Sequence, residues 1–253
     1  MISDLQKANM LKRISAYIFD FILLVTLAVG IAALLSGMLG YDDYTAQRQE
    51  LRAEFEAQWG VSFDIPEEDY AKLTDEQRAL YDEAYTTFAT DEKVNGLDVK
   101  IINLTLLITV LSVLIPYLLL EFWVPLLFGH GRTLGKKIFS IAVMRVDGVR
   151  LSTFQLFVRT VLGKYTLETM IPLFLALLLI FTIMPLACMV GLALLALLQL
   201  SFLLTSPART VIHDMIAGTV TVDFASQMIF DTPEELLAYK EKLHAEAAQR
   251  AAY

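Results

Sequence analysis

The sequence predicts an all-α integral membrane fold: a four-transmembrane-helix bundle with an acidic helical extracytoplasmic insertion and a small cytoplasmic β-hairpin. Three observations carry that prediction. The 253 residues are 56% hydrophobic with a mean hydropathy of +0.56, too apolar for an ordinary soluble domain of this length. The apolar runs suffice for four crossings at about 20 residues each. The charge is segregated, so the formal net charge of −8 conceals one acidic block and one basic block.

Residues 1–39 hold the N-terminus and transmembrane helix 1, from about Lys12 to Met38. Lys7, Lys12 and Arg13 ahead of an apolar core mimic a signal peptide. The core from Ile14 is too long for one and lacks a small-residue cleavage pattern, so it reads as a retained signal-anchor helix. Residues 40–100 form the acidic insertion, with sixteen acidic side chains against six basic ones. Thr74-Asp75-Glu76-Gln77 fits a capping box, and Pro66 suits the start of a turn. Aromatics from Phe55 to Phe88 supply apolar surface for a small helical hairpin, which a disordered acidic linker would lack. The block is a solvated acidic cap or, alternatively, a cation-attracting vestibule.

Transmembrane helix 2 occupies residues 101–128, with Pro116 and Pro125 as expected kinks. Residues 129–165 are a basic cytoplasmic loop in which seven Lys and Arg face Asp147 alone. Within it, residues 140–146 are β-prone, Asp147-Gly148 makes a tight turn and Val149 to Leu151 returns, which is a hairpin signal. Residues 218–222 could add a third strand. Residues 166–205 are apolar for about twice a bilayer's need. Pro185 divides them into helices 3 and 4, at about residues 167–183 and 186–204; the alternative is one span and a re-entrant segment. Residues 206–224 carry Pro207, Arg209 and an Asp-containing cytoplasmic motif. Residues 225–253 form an amphipathic helix capped through Thr232, Pro233 and Glu235.

Cytoplasmic loops carry the excess of Lys and Arg. Four spans with both termini cytoplasmic, in a cell inner membrane or plasma membrane, satisfy that rule and put the insertion outside. The basic loop is expected to meet anionic lipid headgroups, at about 1 kcal/mol per Lys or Arg.

The apolar helices are not uniformly apolar. A carboxylate at the depth of Asp20 costs on the order of 2.5–3.5 kcal/mol and needs a partner, a proton or a cation. Arg13 and Asp20 are seven apart and share a face at roughly 100° per residue. Asp20 lies ~9 Å and Glu121 ~10 Å from the cytoplasmic ends of their helices, and Gln199 falls at a similar depth. These three form an expected polar layer. Two nearby carboxylates repel when both are ionised, so one is expected to hold a proton, or both to hold a cation. The structural alternative is that Arg13 neutralises Asp20 while Glu121 bonds a neighbouring helix. Asp214 is expected to pair with Arg13, Arg132 or Lys136, as a lock or as a gate.

Other chemistries are excluded. The single cysteine, Cys188, permits no intrachain disulfide and no cysteine metal site. Gly131 to Lys137 resembles a phosphate-binding loop, but its first glycine is misplaced and Lys137 occupies the hydroxyl position. His213 is expected to hydrogen-bond rather than ligate. No cofactor, nucleic acid or enzymatic constellation is indicated.

Three blocks occur in order: Arg13 to Asp20 in the first span, Gly131-Arg132-Thr133-Leu134-Gly135-Lys136-Lys137 after the second, and His213-Asp214-Met215-Ile216-Ala217-Gly218-Thr219 after the last. Together with the Val-Asp-Gly turn they resemble the RDD family of membrane proteins. That family, bacterial for the most part, is named for an arginine and two aspartates, here Arg13, Asp20 and Asp214. The resemblance covers residues 8–39 and 101–224, leaving out the insertion and the terminal helix. Because some members are linked to sodium- or proton-coupled transport, it implies a Na+- or H+-linked transporter of a small cation or solute. Four spans are few for a path in one chain, so a homodimer is expected. The rival expectation is a membrane-embedded accessory or assembly factor whose buried charges are packing devices.

Overall fold

The computed structural model describes residues 6–180, 182–205 and 210–251; Pro207, Arg209 and Tyr253 lie outside the described residues. The described residues are mostly helical with one two-stranded sheet. It divides into two compact units, Met1–Ala28 with Val113–Tyr253, and Val29–Ser112.

Among the described residues, four helices are long and apolar enough to cross a membrane: Met10–Met38, Glu92–Phe128, Thr153–Ile180 and Pro185–Phe202. They are called spans one to four below. Span one buries only Ala16 and Leu24, and span four leaves Leu186, Leu194 and Leu197 exposed. Such outward apolar faces suit lipid and would be an association hazard in water.

The boundaries differ from the sequence expectation in two places. Span two begins well before Ile101, because the Asp91 carboxylate accepts from the N–H groups of Lys93 and Val94 and starts the helix there. Span three begins at Thr153 rather than near Leu167, with a capping box between Ser152 and Gln155. The last part of the expected basic loop is thus the opening of a span. Pro185 does start the fourth helix, after a turn in which Thr182 and Met184 take positive φ.

Spans two and three both contain stretches of π-helix, at Tyr117–Trp123 and Val158–Met170. The widened winding shows in its hydrogen bonds: the Val124 N–H donates to the Leu119 carbonyl and the Ile171 N–H to that of Thr166. Both reach five residues back, as π-turns do. Pro116 and Pro125 bracket the first stretch.

The expected hairpin is corrected. Strand β1 (Ile141–Arg145) runs antiparallel to β2 (Thr219–Asp223), from Ile141 opposite Asp223 to Arg145 opposite Thr219. The Asp147-Gly148 turn forms, with the Gly148 N–H donating to the Arg145 carbonyl at 3.0 Å. Its return is reduced to a bridge between Met144 and Arg150. Burial explains the choice: Ala142 and Met144 pack with Val220 and Val222 in one core, which β2 supplies and Arg150 does not.

In the other unit, the short helix Glu67–Tyr70 lies between Tyr41–Trp59 and Asp75–Thr90 in chain order, and the Thr74–Gln77 capping box is present. Phe55, Phe63 and Phe88 form its aromatic centre. The terminal helix Pro233–Ala251 has Thr232 accepting from the Glu235 N–H, while Glu235 reaches back to the Asp231 N–H.

Candidate functional site

The site lies within the unit that holds the sheet, and its first component is Asp20. The Asp20 carboxylate accepts from the Gly135 N–H at 2.8 Å and from the Thr133 hydroxyl. Thr133 itself caps the short helix Leu134–Ile138. A helix N-terminus leaves N–H groups without intrahelical acceptors and carries partial positive charge, so a carboxylate is stabilised there. Gly135 is required for this approach, because a Cβ would collide with the Ala16 carbonyl and the Asp20 carboxylate. Asp20 therefore docks span one onto the glycine block; neutralisation by Arg13 was the structural alternative in the sequence reading. Arg13 is half-buried and engaged in interactions of its own.

The second component is Glu121, 5% exposed on the π-wound part of span two. The Lys164 ammonium donates to its Oε2 at 2.6 Å, and the Lys136 Nζ stands 3.8 Å from the same oxygen. Lys136 also donates to the Thr133 hydroxyl oxygen at 3.4 Å. Asp20, Thr133, Lys136, Glu121 and Lys164 thus form one continuous polar chain linking three spans. Burial and the neighbouring Lys164 charge push the Lys136 ammonium down to about 7, against the pull of Glu121. The backbone at Glu121 is supported too. Pro125 has no N–H to give to the carbonyl four residues earlier, and the Thr160 hydroxyl donates to it at 2.9 Å.

The third component surrounds Asp214, on the short helix Ile212–Ala217. The Arg159 Nε donates to Asp214 at 2.9 Å and Thr219 to the same oxygen at 2.8 Å. The side chains of Arg159 and Asp214 are only 3% and 1% exposed. Burial alone would raise the Asp214 carboxyl; the Arg159 guanidinium and its other partners outweigh this and hold it below the usual carboxylate range. His213 bridges Arg159, at 2.9 Å from Nε2, and Glu168, at 2.7 Å from Nδ1. A guanidinium only donates and a carboxylate only accepts, so the neutral ring carries its proton on Nδ1. Burial and the Arg159 charge both lower the His213 pKa, favouring that neutral form. Gly163 admits the contact, since a Cβ there would strike His213.

Winding aligns these groups. Arg159, Lys164 and Glu168 are separated by five and four residues, which suits i→i+5 turns. In an α-helix Arg159 and Glu168 would lie about 180° apart.

Of the residues expected to form a polar layer, Asp20 and Glu121 are joined, through Thr133 and Lys136. Gln199 is half-buried in span four and hydrogen-bonds neither of them among the described residues. Asp214 pairs with Arg159 rather than with Arg13, Arg132 or Lys136. Arg132 instead donates to the Phe128 carbonyl and lies over the Phe224 ring at 4.2 Å. Sequence reasoning missed Arg159, Lys164 and Glu168. Glu168 had a signal, as the sole acid in residues 166–205. Among the described residues, no cluster of three or more His, Cys, Asp or Glu could hold a metal ion.

The model of the RDD family matches residues 7–218, which include Arg13, Asp20, the glycine block and Asp214. No curated protein and no solved structure matches the chain.

Proposed function

The chain belongs to the RDD family and is a multi-pass membrane protein, and we propose that it moves a small cation or solute in a proton-linked, non-enzymatic cycle. One observation carries this reading: the continuous chain from Asp20 through Thr133, Lys136 and Glu121 to Lys164, buried at its centre and linking three spans. Ionisable groups inside spans are costly and mark ion or proton paths by default. Protons are favoured over sodium as the coupling species. The oxygens of Asp20 and the Oε2 of Glu121 are turned toward N–H, O–H and ammonium donors. A sodium site needs several oxygens turned inward together.

The segregation of Lys and Arg supports cytoplasmic termini and sheet, an extracytoplasmic acidic insertion, and contact of the basic segment with anionic headgroups in the cell inner membrane or plasma membrane. Four spans per chain support a homodimer as the transporting unit. The test is reconstitution in liposomes with an ion panel under an imposed pH gradient. The reading expects flux that follows the gradient and is abolished by Glu121→Gln; absence of flux under every gradient rejects it.

A second reading, an accessory or assembly factor, is favoured by a different observation. Asp20 and Asp214 are each held by contacts that tie elements together. It expects no flux, with a partner protein co-purifying through residues 40–100 or the terminal helix.

A further inference from the structure

We propose that Lys136, rather than a carboxylate, is the group of this cluster that takes up and gives off the proton; the inference rests on the proton-linked reading above. Two ammonium groups share the Glu121 Oε2, and they are held unequally. Lys164 donates at 2.6 Å, whereas Lys136 stands at 3.8 Å with only the Thr133 hydroxyl oxygen as a closer partner. The charged groups acting on Lys136 come from every span around it: Asp20 from span one, Glu121 from span two, Lys164 and Arg159 from span three. The Lys136 side chain is 11% exposed, so its charged form lacks both water and a full counterion.

Hydrogen-bond capacity points to the same group. Both Asp20 oxygens and the Glu121 Oε2 already accept from donors, so a proton taken up by either carboxylate would weaken charge-assisted hydrogen bonds that hold the chain together. A neutral Lys136 amine still has two N–H bonds, enough for Thr133 and Glu121 together. Lys136 can therefore discharge without breaking the network. Release breaks one Nζ–H bond, leaves the electron pair on nitrogen and passes the proton to water; uptake is the reverse.

The test is competitive amine acylation of the full-length protein in lipid nanodiscs between about pH 5 and pH 11, read per lysine by mass spectrometry. Lys136 is expected to reach half-reactivity near pH 7, well below the ordinary lysine value of about 10.4. A Lys136 midpoint at that ordinary lysine value overturns the inference. Glu121→Gln removes the neighbouring anion and is expected to move the Lys136 midpoint lower; an unchanged midpoint also overturns it. In proteoliposomes, Lys136→Arg fixes the charge and is expected to abolish the pH dependence of flux. Wild-type flux and pH profile in Lys136→Arg would sink the Lys136 assignment and leave the transport reading standing. A neutral-range midpoint with no flux in the unmodified protein would do the opposite.

Discussion

The acidic insertion and the sheet-bearing unit use the same charged residue types to opposite ends. In the insertion, Lys72 pairs with Asp69 while both side chains stay more than half in water, at 71% and 57% exposure. In the sheet-bearing unit, Arg159 and Asp214 are almost fully enclosed. Exposed pairs contribute about 0–1 kcal/mol, whereas breaking a buried pair costs about 3–5 kcal/mol because a charge is left uncompensated. The insertion takes its order from aromatic packing around Phe63 and Phe88, and its charges keep it solvated. The polar cluster is ordered by the charges themselves. Charge count therefore says little about either unit; enclosure decides what a charge does.

Substitutions can break that contrast, beginning with its strongest point. Arg159→Met should destabilise the protein by about 3–5 kcal/mol, seen as a lowered unfolding temperature in detergent, and Asp214→Asn in the same chain should recover part of it. Next comes pH. The Lys136 pKa is lowered by folding from 10.5 to about 7, so the unfolded chain binds more protons between those values. Stability should therefore rise as pH rises through that window and fall as pH drops back toward 7, and Lys136→Met should flatten the slope. Gly163→Ala, which drives a methyl group into His213, should cost about 1–3 kcal/mol in the same melting assay. Thr160→Val leaves the Glu121 carbonyl without a donor and should cost about 1–2 kcal/mol. At the other extreme, Lys72→Ala in the insertion should shift stability by less than about 0.5 kcal/mol. An effect at Lys72 rivalling that at Arg159 would abolish the contrast.

Much of the fold was legible because its signals are local. The first two spans follow from apolar length, the insertion from composition, and the Thr74 and Thr232 helix starts from their caps. The third span was misread because Arg159 and Lys164 look like loop residues until their carboxylates are known. Those partners, Asp214 and Glu121, lie 55 and 43 residues away. Locality also misled the strand pairing, where a good turn at Asp147-Gly148 lost to a distant strand offering Val220 and Val222 to the core. Within the site, Asp20 and Glu121 were found by their cost in an apolar setting, and Asp214 and Lys136 as candidate ion-pair partners at the ends of the spans. Their true partners were hidden by winding, since a pattern counted at roughly 100° per residue cannot align Arg159 with Glu168.

That widened winding makes chain length as binding a requirement as residue identity. Deleting one residue between Lys164 and Glu168 would swing everything beyond it by one residue's rotation about the helix axis. Glu168 would leave His213 with every charged side chain still present in the sequence. The stretch should tolerate exchanges of similar side chains far better than a change of one in its count.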